Sequence, residues 1–255
     1  MSWKQGLFIV VDAISILPFA MVIGFPYLLI GPSSYNSSNP KNKSKIVVLI
    51  HGSGVRDWQW AVAKLYLHIS KISFMSVNYN SELPIEISSD IVFEQITKHL
   101  NKINQVKTLV ESNECKEKEN EIILIGHSQG GLISRLIHNR VKSKMTFLMN
   151  TPQKGACLLN WLYPNNGENH PCSRNDMRPN SEFLQNLPDA DPNEICEIIG
   201  TNDVVLESES IHFGNLPHQI LNNEKHVYRS RFGHFFCAVN PYLWFSYVIP
   251  LIKRC

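Results

Sequence analysis

Residues 121–141 read EIILIGHSQGGLISRLIHNRV, and no other stretch restricts the fold as much. A β-branched apolar run leads into Gly126-His127-Ser128-Gln129-Gly130. Apolar residues at helical spacing then continue from Gln129 to Val141. An apolar run without polar alternation fits a strand buried on both faces. A strand that passes into a helix through G-x-S-x-G makes a tight, strained turn with the serine at its apex. Glycines on either side leave room for the neighbouring strand and helix. The serine oxygen then stands above the carboxyl end of the strand, and the new helix points its first amides toward any negative charge that develops there.

The rest of the chain repeats this alternation. Lys45 to His51, Ser73 to Tyr79, Glu121 to His127, Met145 to Asn150, Glu194 to Gly200 and Val227 to Ser230 read as strands. Asp57 to Ser70, with Trp60, Ala63 and Leu67 at helical spacing, reads as a helix. So does Ser88 to Ser112, where Val92, Ile96, Leu100, Ile103, Val106 and Val110 recur at three and four, with Ser89 or Asp90 as its cap. Pro241 to Lys253 closes the chain as a helix, and Pro250 is expected to break or kink its end. Strands alternating with helices imply βαβ units, a mainly parallel sheet and right-handed crossovers with helices on both faces. The stretch from Thr151 to Pro192 shows no clear period, and a loop of that length in a compact domain is usually functional.

The first 45 residues differ from the rest. Gly6 to Ile30 is almost wholly apolar, with Asp12 its only charge. About 20 apolar residues span a bilayer core, so the run reads first as a membrane anchor. An atypical signal peptide and a buried or interfacial hairpin are the other readings, although no A-x-A cleavage site follows. Lys41, Lys43 and Lys45 follow the run while Lys4 alone precedes it, which by the positive-inside rule keeps the following domain cytoplasmic. Gly31 to Lys45 is rich in Ser, Asn and Pro and reads as a linker. It carries glycosylation sequons at Asn36 and Asn42, which matter only in a secretory lumen. The expected division is therefore an anchor or signal over 1–31, a linker over 32–44 and a catalytic domain over 45–255 with a cap insertion near 156–192.

A balance of 24 basic and 22 acidic residues, with no basic stripe, argues against nucleic acid as a partner. Six cysteines are present, none in CxxC and none at zinc spacing with His, so no metal or cofactor is expected. Cys196 sits in an apolar run and reads as a small buried hydrophobe, while Cys157 and Cys172 flank the loop-rich stretch and could bridge in an oxidising compartment.

A serine hydroxyl needs a base, and the base an orienting acid. In a strand–turn–helix setting the order is Ser, then Asp or Glu, then His. Asp203, in Gly200-Thr201-Asn202-Asp203, follows a strand and so lies on the sheet edge where such sites form. Asp189, Asp191, Glu207 and Glu209 are its rivals. His234, in Arg231-Phe232-Gly233-His234, comes after the last strand and before the last helix. His212, His218 and His226 are less well placed, and His127 reads as a packing residue. The amide of Gln129 supplies one oxyanion donor, and the loop His51-Gly52-Ser53-Gly54 should supply the other through Ser53.

The chain resembles bacterial triacylglycerol lipases and related esterases of the α/β-hydrolase superfamily. The resemblance runs from about Ile46 to Leu251 and rests on LIHGSG, IGHSQGG, Thr151-Pro152-Gln153-Lys154-Gly155, MRPNSEFLQNL, GTNDVV and GHFF in that order. It implies Ser128 as nucleophile, Asp203 as acid, His234 as base and Ser53 and Gln129 as oxyanion donors. Gln153 stands where the family often has His, and Ala156 where it often has Ser. No match to the family's calcium-site aspartates is present. Leu158, Leu159, Trp161, Leu162 and Tyr163 would, if exposed, suit acyl chains or a bilayer; if buried they are ordinary core. The expected activity is hydrolysis of carboxylic esters on lipid or other acyl substrates. Thioesterase, amidase and acyltransferase chemistry share the same residues, and a non-catalytic membrane-tethered binding module is the alternative of a different class.

Overall fold

Apolar runs without polar alternation become strands of a single sheet. The computed structural model describes residues 34–35, 45–110, 120–162, 172–188, 191, 193–200, 203, 205–206, 227–230 and 233–255. The apolar segment Gly6 to Ile30 lies outside the described residues, and so do Asp189, Glu207, Glu209, His212, His218, His226 and Tyr163.

The strands are β1 (Ser34–Tyr35), β2 (Lys45–Ile50), β3 (Ser73–Val77), β4 (Glu121–His127), β5 (Ser143–Met149), β6 (Ile195–Gly200) and β7 (Val227–Ser230). They lie in the order β1-β3-β2-β4-β5-β6-β7. All neighbours pair in parallel except β1, which runs antiparallel to β3 at the edge. The fold class is as expected. The edge strand is not: Ser34–Tyr35 falls in the segment read as linker, and its two residues are too few to show any period.

Each side of the sheet buries every second residue. Val47, Leu49, Ile123, Ile125, Phe147 and Met149 face α1 (Ala61–Ile69) and the C-terminal helices. Val48, Ile50, Ile122 and Leu124 face α2 (Ile85–Val110) and α3 (Gln129–His138). Both faces are apolar because both are covered, which is why the strands read as unbroken hydrophobic runs.

Chain order determines where a site can form. From β2 the chain crosses to β3 on one side, then returns over β2 through α2 to reach β4 on the other. The sheet order therefore reverses between β2 and β4. Beyond the carboxyl ends of two such strands the departing loops diverge and leave a crevice. The loop from His51 and the turn at Ser128 both open there.

Helix boundaries moved where tertiary contacts outweighed local pattern. A 3-10 turn, Asp57–Trp60, precedes α1. The long helix begins at Ile85, not Ser88, so Ser89 and Asp90 are interior residues and not caps. Its first amide, Ile85 N–H, is capped by the Asp176 carboxylate at 2.7 Å, from 91 residues away in sequence. The aperiodic stretch after β5 contains α4 (Cys157–Leu162), α5 (Ser173–Asp176) and α6 (Glu182–Gln185), each too short to print a period. Leu159 is partly buried against the core on that side. Cys157 and Cys172 are not bridged to each other, and Cys196 is buried as expected. After α7 (Phe236–Val239), the C-terminal run continues through Pro241–Leu243, a π-helical turn at Trp244–Val248 and Ile249–Arg254. Pro250 therefore does not end the helix. The π turn directly ahead of it widens the ladder where a proline lacks its N–H and crowds the carbonyl four residues back.

Candidate active site

Ser128 sits between β4 and α3 with φ 53° and ψ −121°, a conformation that L residues other than glycine rarely adopt. Two tight approaches hold it there. A Cβ on Gly126 would lie 2.3 Å from the Gly130 carbonyl oxygen, and one on Gly130 would lie 2.3 Å from the Ile50 carbonyl oxygen. Only glycine lets α3 come this close to its own strand and to β2. The Ser128 N–H donates to the Met149 carbonyl at 2.9 Å, tying the turn to the end of β5.

The next strand ends supply the other groups. Asp203 follows β6, and its Oδ1 accepts the amides of Val205 and Leu206, each at 2.9 Å. Its Oδ2 accepts Nδ1–H of His234 at 2.6 Å. Both side chains are buried, with 3% of His234 and 1% of Asp203 exposed. A carboxylate only accepts, so the His234 proton is on Nδ1 and Nε2 is left with a free lone pair. The rival Asp191 instead accepts from Asn193 within its own turn. No hydrogen bond joins Ser128 Oγ to the His234 ring in this structure. Such contacts are often long without substrate.

Ser128 and the loop after β2 are close together: a Cβ on Gly52 would lie 3.3 Å from the Ser128 Cβ. The amides on either side of Ser53 are already used. Gly52 N–H donates to Gln59 Oε1 at 3.0 Å, and Gly54 N–H donates to Ser81 Oγ at 3.0 Å. The Ser53 amide between them has no partner among the described residues. The Gln129 amide opens α3 and so has no acceptor within the helix. Two donors thus remain beside Ser128, at the two positions the sequence singles out. The Gln129 side chain points away, its Nε2 donating to the Ser81 carbonyl at 3.1 Å.

His127 is not a base. Burial pushes its pKa down to about 3, with His234 nearby adding to the shift, so the ring is neutral. Its ring lies 4.9 Å from that of His234, centroid to centroid. His51 is lowered in the same direction, chiefly by burial, and stacks on Tyr79 with centroids 4.3 Å apart. Among the described residues no group of His, Cys, Asp and Glu is arranged to hold a metal ion.

Sequence reasoning missed Gln59, Ser81 and Asn150. Asn150 Nδ2 donates to the His234 carbonyl at 3.1 Å, and its Oδ1 accepts the Gly200 amide at 2.6 Å, so it links the His234 main chain to the end of β6. Asn150 has φ 44°, a left-handed conformation that asparagine tolerates better than most residues. That exception at a strand end is the only local signal the sequence offered.

Comparison with known proteins speaks to the fold. A family model for a PGAP1-like alpha/beta domain matches residues 43–150, from just before β2 to the end of β5. The mature form of Bacillus licheniformis lipase BlEst2 superposes with a TM-score of 0.55 at 13% identity, covering 85% of this chain and 95% of that one. A structure reported for LipS and LipT, two metagenome-derived lipolytic enzymes, gives 0.57 at 8% identity over 87% and 96%. One reported with carboxylesterases of the thaumarchaeon Nitrososphaera gargenis gives 0.51 at 12% over 85% and 97%. The chain has the α/β-hydrolase fold. No curated protein matches it. In this fold Ser128, Asp203 and His234 stand beyond the ends of β4, β6 and β7, the edge on which the sheet order opens a crevice.

Proposed function

We propose that this α/β-hydrolase is a serine hydrolase of carboxylic esters, with Ser128 as nucleophile, His234 as general base and Asp203 as its orienting acid. The observation that carries the reading is the buried His234–Asp203 hydrogen bond of 2.6 Å on the sheet edge that also presents Ser128 at φ 53°. Ser128 Oγ attacks the ester carbonyl while His234 Nε2 takes its proton. The Ser53 and Gln129 amides receive the oxyanion, and a donor of this kind is typically worth roughly 3–4 kcal/mol. His234 then protonates the leaving alcohol. A water activated by the same nitrogen releases the acid from the acyl-enzyme. The esterases and lipases of similar fold support an acyl ester or lipid as substrate. Thioesters, amides and acyl transfer to another acceptor are served by the same groups.

A fluorophosphonate probe tests this directly. Wild type labels on Ser128, and Ser128→Ala does not. Folded wild type that fails to label, or Ser128→Ala that labels equally, removes the proposal.

We also read Gly6 to Ile30 as a membrane anchor, on the length and apolarity of that segment alone. Among the described residues no helix is long and apolar enough to cross a membrane.

A further inference from the structure

We infer that Gln59 and His127 are positioning residues that lock the oxyanion loop and the catalytic base into one register. The inference rests on the serine-hydrolase reading above and adds two residues to it. Four groups form an unbroken buried chain. Gly52 N–H donates to Gln59 Oε1 at 3.0 Å. Gln59 Nε2 donates to His127 Nδ1 at 2.8 Å. His127 Nε2 donates to the His234 carbonyl at 2.8 Å. Gln59 and His127 are 3% and 1% exposed.

The chain has one direction. A backbone N–H can only donate, so the Gln59 oxygen must face Gly52. Its amide nitrogen then faces His127, and Nδ1 of that ring must accept. The ring proton is therefore on Nε2, the nitrogen that faces a carbonyl, which can only accept. No other protonation state satisfies every member. Burial keeps His127 neutral, which the chain requires.

Its two ends are the parts that must agree during reaction. Gly52 precedes Ser53, whose amide receives the oxyanion. His234 carries the base, and its main chain is what His127 holds. Ser128, next to His127 in sequence, lies between them. A ring of fixed length that spans both ends sets the distance from donor to base, the quantity on which orientation depends. The chain touches no substrate, so it acts on turnover and not on binding.

The full chain in detergent, assayed on a p-nitrophenyl ester, tests this with three variants. His127→Leu removes both bonds. His127→Gln keeps an N–H donor toward the His234 carbonyl. Gln59→Met keeps bulk and removes both polar ends. Expected are a fall in kcat of about 10–100-fold for His127→Leu and Gln59→Met, KM within about twofold, and recovery of most of that kcat by His127→Gln. Fluorophosphonate labelling rates fall in parallel. Thermal melts identify any variant that fails to fold, and the remaining two then decide. Folded variants with kcat within about twofold of wild type overturn the inference, as do a loss confined to KM and a His127→Gln no better than His127→Leu. Failure of the parent reading looks different: wild type then shows no Ser128-dependent turnover at all.

Discussion

Two residues in the elbow show how a buried side chain can be chosen for its protonation state. Ser128 is strained because its amide must reach Met149 while its side chain clears β4. His127, one position earlier, faces into the protein and is paired on both ring nitrogens. Its pKa falls from 6.5 to about 3, because burial penalises the cation and His234 lies beside it. In the unfolded chain the same ring takes a proton near its ordinary value. Below pH 6.5 the unfolded state therefore binds a proton that the native state refuses. The stability is fully present above that pH and is lost progressively as pH falls toward about 3. His51, lowered chiefly by burial, adds a contribution of the same sign. Urea unfolding at pH 7 and pH 5 measures this. Between the two, wild type should lose about 1–2 kcal/mol more than His127→Gln, which has one titrating group fewer. Equal losses would mean that His127 is charged in the native state, and the hydrogen-bond chain through it would then be broken.

Elements whose identity is carried by period were legible in the sequence; those fixed by a distant partner were not. β4 has the bounds the pattern implies, because a strand covered on both faces is apolar along almost its whole length. The start of α2 was hidden, since its cap comes from Asp176 on α5 and not from Ser89 or Asp90. Ser128, Asp203 and His234 could be ordered along the chain because each follows a strand. Gln59 could not: it lies in a 3-10 turn, and nothing local marks it as facing both Gly52 and His127. The C-terminal run shows the same dependence. Pro250 should stop a helix, yet a π turn carries the chain through it, and the far end is secured by Lys45. Its Nζ donates to the carbonyls of Ile252 at 3.3 Å and Lys253 at 3.2 Å. A cation on exposed final carbonyls offsets both the unpaired acceptors and the negative end of the helix. Lys45→Met, which keeps the stem and removes the charge, should lower stability by about 0.3–1 kcal/mol in a thermal or urea melt. A melt unchanged from wild type would mean that solvent serves those carbonyls equally well.

For the molecule as a whole, the proposed anchor has a consequence for how the sheet would stand relative to a bilayer. β1 begins at Ser34, so only Gly31, Pro32 and Ser33 separate the apolar segment from the sheet edge. Three residues reach roughly 10 Å when extended, so an anchored segment would hold the β1 edge close to the membrane. Tyr35 on that edge packs against His68 of α1, and Tyr66 of the same helix lies 6.3 Å from Phe245, centroid to centroid. Ile69, Tyr242 and Phe245 are all more than half exposed. Exposed aromatic and aliphatic side chains of this kind suit a headgroup region. β1 runs antiparallel to β3, with Ser34 opposite Met75 and Tyr35 opposite Phe74, so the start of β1 points toward the carboxyl edge of the sheet, where Ser128 stands, and an anchor joined there would hold that edge toward the bilayer. Alkaline carbonate washing of membranes from expressing cells tests the anchor. The full chain should remain in the pellet, and release with the peripheral proteins would replace anchoring by surface attachment. The sequons report the side: a glycosidase-sensitive mass shift that vanishes in Asn36→Gln/Asn42→Gln would put the domain in the lumen and overturn the orientation that Lys41, Lys43 and Lys45 imply. In a eukaryotic host that glycosylates secretory proteins, an unshifted mass in the alkali-resistant pellet is the outcome expected of a cytoplasmic domain held at the membrane.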